Sequence, residues 1–144
     1  MKECEFCQVV RGEIIRYVVL EDDTSLGFLD ERPLFPGHVL LIPREHYETL
    51  VDLPPRLVAP LFANARLLAR AVEEALGAQG SFVAINNRIS QSVPHLHVHV
   101  VPRRKKDGLK GFFWPRNPYK NEEHRQMVQE TLRGAIERLR RDSG

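Results

Sequence analysis

Residues 95–100 alternate imidazole and aliphatic side chains without a break: His95, Leu96, His97, Val98, His99, Val100. Only an extended strand gives that order a meaning, because successive side chains then point to opposite faces. Three imidazoles share one face, and Leu96, Val98 and Val100 share the other, which must rest on an apolar layer. A chain of 144 residues, 42% of them hydrophobic, can supply that layer within one domain. The plainest alternative is a surface strand that merely happens to carry histidines. Three of the chain's six histidines fall within five positions, which argues against it. Three imidazoles on one face suit two chemistries: a catalytic metal ion, or a nucleophilic histidine flanked by groups that orient it and bind an anion. Spacing alone leaves both open.

The remaining segments predict the rest of that domain. A short helix is expected over residues 5–11, then strands at Tyr17–Leu20 and Ser25–Leu29. The Pro- and Gly-punctuated stretch 32–37 reads as a loop, and His38–Ile42 as a buried strand stopped by Pro43. Pro54 and Pro55 open a long helix with Leu57, Leu61, Ala65, Leu68, Val72 and Leu76 at helical spacing, and Gly77 and Gly80 end it. A strand Ser81–Asn86, a polar loop 87–92 and the histidine strand follow. Beyond the basic segment Arg103–Gly111 and the aromatic run Phe112–Trp114, an amphipathic helix is expected over Glu122–Arg141, with Met127, Leu132, Ile136 and Leu139 facing inward. These elements predict an α+β fold, with the sheet grouped around one long helix and a C-terminal helix added. The whole chain, 1–144, is expected to be a single domain with its core over 4–103.

Composition narrows the partners. No apolar run approaches the ~20 residues that span a bilayer, so no membrane association is expected. A net charge of +2 and a pI near 8.7 are too weakly basic for a chain devoted to nucleic acid. The N-terminus is acidic and polar where a signal peptide would be apolar, and a cytoplasmic location is expected. Two cysteines exclude a disulfide-stapled scaffold. Their spacing, Cys4-x-x-Cys7, suits a redox pair, half of a zinc site, or incidental thiols. A thioredoxin-like pair would follow a strand, and nothing strand-like precedes Cys4.

The His-x-His-x-His run with apolar residues between resembles the signature of the histidine triad superfamily of nucleotide hydrolases and transferases. The likeness extends upstream to Asp30-Glu-Arg-Pro-Leu-Phe-Pro-Gly-His38-Val-Leu-Leu-Ile-Pro43 and to Gln91-Ser92-Val93, and covers the order of elements from Cys4 to Arg103. It implies a histidine-triad fold with an antiparallel sheet, and His97 as the nucleophile that attacks the α-phosphorus of a nucleotide. It further implies that His38 and His99 line the phosphate site and that Gln91 and Ser92 donate to phosphate or leaving-group oxygens. By the same match Asp30 holds the ribose hydroxyls, and Phe6, Val9, Ile14, Leu20 and Phe28 surround the base. Plain core packing is an equal reading for Val9 and Leu20. Bacterial members resembling this chain bind a structural zinc ion through positions that match Cys4, Cys7, His46 and His95. Such members are homodimers joined through the long helix and sheet edges, which makes Leu57, Leu61, Leu68 and Val72 the candidate surface. Packing of that stripe on its own sheet is the alternative, and both hold if the helix is buried on two sides.

The chain also departs from that pattern. The loop Asn86-Asn87-Arg88-Ile89-Ser90 is shorter than in many members, so either Asn86 or Asn87 could meet the phosphate. Arg103-Arg104-Lys105-Lys106 with Lys110 could clamp distal phosphates, or could simply be solvated. Trp114-Pro115 is similar to a Trp-Pro of phosphoramidase-type members, although it lies further from the triad. The basic run favours dinucleoside polyphosphate hydrolysis as the expected activity. Hydrolysis of purine nucleoside phosphoramidates, a nucleotide-binding regulatory role, and a three-histidine metallohydrolase are the alternatives.

Overall fold

The computed structural model describes residues 3–110 and 115–142; the aromatic stretch Phe112–Trp114 lies outside them. The chain divides into two compact units, the first ending at Asp107 and the second beginning at Gly108.

The first unit is an antiparallel sheet with a helix on each face. Helix α1 spans Glu5–Val10, β1 Val18–Glu21, β2 Ser25–Leu29, β3 Val39–Pro43, α2 Pro55–Leu76, β4 Gly80–Ile85 and β5 Val98–Arg103. The strand order is β1-β2-β3-β5-β4, with β1 and β4 at the edges. Central β3 is buried along its whole length, as its unbroken apolar run requires. Its alternate residues serve two cores. Val39 and Leu41 join Leu96, Val98, Val100 and the α2 residues Leu57, Leu61, Ala65 and Leu68. Leu40 and Ile42 join Phe6, Val9, Leu26 and Phe28 on the α1 side. The period-two alternation at 95–100 therefore divides as the sequence predicts, with aliphatics under α2 and imidazoles towards α1.

Helix α2 begins at Pro55, where a missing N–H costs nothing, and ends at Gly77, which takes a left-handed conformation at φ 65°. Leu57, Leu61, Ala65, Leu68 and Val72 are buried on its own sheet, whereas Leu76 at the last turn is exposed. The stripe named above as a pairing surface is thus already occupied within the chain. The histidine strand is shorter than expected, because β5 starts at Val98 and not at His95. The Leu96 N–H bonds the Tyr47 carbonyl at 2.7 Å, outside the strand ladder, and the chain at His95 and Leu96 turns away from the sheet.

The second unit holds α3, Glu122–Asp142. Its amphipathic pattern is real, yet the expectation of an inward face fails: no residue of α3 is buried, and Met127, Leu132, Ile136 and Leu139 are 47–60% exposed. Periodicity identifies which face of a helix is apolar, but not whether the same chain supplies a layer to cover it.

Two leucines of α2 separate burial from helix propensity. Leu61 is 2% exposed and Leu67 is 53% exposed. Leu61→Ala is expected to lower stability by about 2–5 kcal/mol and Leu67→Ala by about 0.5 kcal/mol or less, read by denaturant unfolding. Equal losses would contradict this division of the helix.

Candidate active site

His95 and Leu96 lie outside the ladder of β5, and the His95 carbonyl is free to accept from a side chain. The Nδ1–H of His97 donates to it at 2.7 Å. With its proton held there, neutral His97 presents an unprotonated Nε2. Its ring is buried and meets the Phe6 ring edge-on at 5.2 Å, so its orientation is fixed from two sides.

His38 and His99 form a second, directional pair. The Leu34 N–H donates to His38 Nδ1 at 3.1 Å, which places the His38 proton on Nε2. That Nε2–H donates to His99 Nδ1 at 3.0 Å, and neutral His99 is left with an Nε2–H to offer. Burial keeps both rings neutral. It lowers His38, against a weaker upward pull from Asp30, and takes His99 down to about 4 with help from the neighbouring His97 and His38. His99 lies 5.0 Å from His97, centroid to centroid, so an unprotonated nitrogen and an N–H donor stand side by side.

His97 and His99 line a cavity of about 470 Å³, and His38, off the cavity wall, reaches it through its bond to His99. Phe6, Phe28, Leu40 and Val93 form its apolar wall, and Asp30, Ser92, Glu5, Arg16, Glu31 and Arg32 add polar groups. Asp30 Oδ1 accepts from the Arg32 N–H at 2.9 Å, and Oδ2 sits 3.6 Å from His38 Nε2. Other residues that the resemblance assigned to the nucleotide are occupied elsewhere. Gln91 accepts from the Arg88 N–H and donates to the Glu48 carbonyl, so its amide braces the 86–91 loop. Asn87 accepts from the Leu50 N–H, and neither it nor Asn86 lies on the cavity wall. Ile14 packs against the α1-side core with Val9, and Leu20 packs against the α2-side core.

The basic run also finds partners away from the cavity. Arg103 pairs with Asp107 at 2.6 Å, Arg104 donates to the Leu76 carbonyl at the end of α2, and the Lys105 N–H bonds Gln79. No residue of 103–110 lines the cavity. Sequence reading overlooked Arg16 and the Glu5 and Glu31 carboxylates that hold it; only their charge, in a segment otherwise suited to the base, could have drawn notice.

Two groups of possible metal ligands occur among the described residues, and His97 belongs to neither. In the first, His95 Nδ1 lies 3.4 Å from Cys4 Sγ, 3.6 Å from Cys7 Sγ and 3.2 Å from His46 Nδ1, and Cys7 Sγ is 3.3 Å from His46 Nδ1. Zinc bonds of about 2.0–2.3 Å set tetrahedral edges of roughly 3.3–3.7 Å, so the donor set fits a closed Cys2His2 site. The tautomer fits too: His95 Nε2–H donates to the Pro43 carbonyl at 2.9 Å, which leaves Nδ1 bare towards the cysteines. The second group, Asp30, His38 and His99, fits poorly, because the Leu34 amide fixes a proton on the His38 nitrogen that would have to bind. A metal shared by all three triad histidines fails for a related reason, since His95 turns its ligand nitrogen to the cysteines.

The neutral pair sets an acid limit on stability. His99 takes up a proton only near pH 4 when folded, but near 6.5 when unfolded. Between those values the unfolded chain binds more protons, so this contribution is complete above pH 6.5 and is lost as the pH falls towards 4. The melting temperature is expected to fall across that window, and His99→Asn to flatten the fall. An unchanged slope in the variant would remove His99 from the account.

Comparison with known proteins agrees with this geometry. A family model described as the HIT domain matches residues 11–106. The adenylylsulfatase HINT3 of Arabidopsis thaliana is 38% identical over 109 residues, 74% of this chain and 55% of that longer protein. The adenosine 5'-monophosphoramidase hnt1 of Schizosaccharomyces pombe is 34% identical over 129 residues, 88% of this chain and 94% of its own length. Among solved structures, a zinc-bound histidine triad family protein from Mycobacterium smegmatis superposes with a TM-score of 0.71 at 39% identity, covering 92% of this chain and 96% of that one. With a directed imidazole pair, an antiparallel sheet to hold it and a family model spanning both, the chain belongs to the histidine triad (HIT) family.

Proposed function

We propose that this protein hydrolyses nucleotides at the α-phosphate through a nucleotidyl-His97 intermediate. One observation carries the reading: His97 commits its Nδ1–H to the His95 carbonyl, and the unprotonated Nε2 remains on a ring that lines the cavity. Nε2 attacks phosphorus and forms a P–N bond. The bond to the leaving group breaks, its electron pair departs with that group, and the Ser92 hydroxyl at the cavity wall supplies a proton. Water then attacks phosphorus, the P–N bond to His97 breaks, and the proton released by water restores Ser92. The His99 Nε2–H donates to a phosphoryl oxygen, where charge grows in each transition state. Phe6 and Phe28 pack the base, and Asp30 accepts from the ribose hydroxyls.

The cavity charges favour a compact leaving group, a sulfate or an amine. Arg16 and Arg32 are its cationic lining residues, and Arg16 is already paired with Glu5 and Glu31. A long polyphosphate would need further cations, and Arg103 and Arg104 of the basic run are engaged by Asp107 and the end of α2. Two relatives' names, an adenylylsulfatase and a phosphoramidase, fit such a group, and a third, a bis(5'-nucleosyl)-tetraphosphatase of Schizosaccharomyces pombe, fits the polyphosphate first expected.

A structural zinc ion held by Cys4, Cys7, His46 and His95 completes this reading. The ion supplies positive charge that stabilises the two thiolates; without it, burial and the neighbouring Cys4 thiol push Cys7 up to about 11. Reduced cysteines in that role suit a cytoplasmic protein. The active unit is proposed to be a homodimer. The support is edge strand β4 together with exposed Val83, Val58 and Phe62, not the buried stripe of α2.

His97→Ala is expected to lower turnover of an adenosine phosphoramidate by roughly three orders of magnitude while nucleotide affinity changes only a few-fold. Substantial residual turnover, or binding without turnover by the native protein, would defeat the assignment. Elemental analysis should find about one zinc per chain, and chelation or Cys4→Ser should lower the melting temperature. A fully stable metal-free protein would exclude the structural zinc.

A further inference from the structure

The cavity lined by Phe6 and Phe28 also holds a group that hydrophobic packing does not explain. Arg16 lines the cavity with its side chain only 13% exposed. It is held from three directions: Nη2 lies 2.8 Å from Glu5 Oε1, and Nη1 lies 3.3 Å from Glu31 Oε1 and 3.1 Å from the Ile15 carbonyl. Both carboxylates also line the cavity. A guanidinium has more N–H groups than these contacts use, so donors remain for a ligand. Removing such a cation from water is costly unless it is paired, and packing alone needs no charge here.

We infer that the Glu5–Arg16–Glu31 cluster is a base-reading subsite that selects a 6-oxopurine, guanine, over a 6-aminopurine, adenine. The inference rests on the nucleotide reading above and adds to it the choice of base. The order of the charges carries the argument, because a donor stands between two acceptors. Guanine matches the Arg16–Glu31 part of that order, its O6 accepting from the guanidinium and its adjacent N1–H donating to a Glu31 carboxylate oxygen, while Glu5 holds Arg16 in place. Adenine inverts the pattern. Its N6 amino group would set a donor against the guanidinium, and its unprotonated N1 would face a carboxylate that has no proton to give. Specificity then comes from the unfavourable pairing as much as from the good one. The ion pairs hold Arg16 before the base arrives, so little side-chain freedom is lost on binding.

Calorimetric titration of the full-length protein with GMP and AMP tests this without turnover. The native protein is expected to bind GMP about ten-fold more tightly, in line with one bidentate base contact at a partly exposed site. In Arg16→Met, which keeps the aliphatic stem, the GMP-to-AMP ratio should fall to near unity. Glu31→Gln, at an exposed position where folding is not at stake, should reduce the ratio as well. Equal affinities in the native protein, or a preference that survives in both variants, would overturn the base-reading role and leave the nucleotide reading intact. Failure of both nucleotides to bind the native protein would overturn both readings.

Discussion

The hydrogen bond from His97 Nδ1–H to the His95 carbonyl governs the rest of the site. It forms because the chain leaves the sheet just before β5, at the point where the Leu96 N–H turns to Tyr47. The same short segment directs the His95 ring the other way, with Nε2–H on Pro43 and Nδ1 towards Cys4, Cys7 and His46. One histidine therefore joins the thiol cluster through its side chain and orients its neighbour through its backbone. Any movement of that cluster is felt at His97 within two residues.

Electrostatics divide the imidazoles by what surrounds them. Burial holds His95 and His99 to about 4, far below the ordinary histidine range, so each keeps a single proton whose position is set by one hydrogen bond. The site then sets the His97 ring beside an N–H donor on His99 that burial keeps uncharged at neutral pH. The family membership and the fold rest on this core of β3, β5 and α2, while the C-terminal helix stands in a separate unit.

Much of this was legible before any coordinates. The period-two alternation at 95–100 identified the strand that separates the two cores, and the 3.6-residue spacing from Leu57 to Val72 identified the buried face of α2. What escaped notice depends on distant partners. Gln91 and Asn87 are assigned to the phosphate by resemblance alone, and the fold adds bonds from their amides to the backbone of Glu48, Arg88 and Leu50 that no local pattern announces. The run Arg103–Lys106 looks like a clamp, yet the end of α2 and Asp107 take up Arg104 and Arg103. A charged or amide side chain advertises its chemistry locally, but its partner is chosen by the fold.

The Leu34 amide shows how far chemistry can be separated from side chains. A backbone N–H does not titrate near neutral pH, so it holds the His38 tautomer in one state and makes the His38–His99 bond run in one direction. The leucine that owns this amide is 53% exposed, and its bond to His38 uses only the backbone. Position 34 can therefore drift among many residue types while the proton stays where it is, and proline alone would erase the donor. The protonation pattern of the centre is encoded in the path of a loop between two prolines, where inspection of the reactive residues alone would never find it.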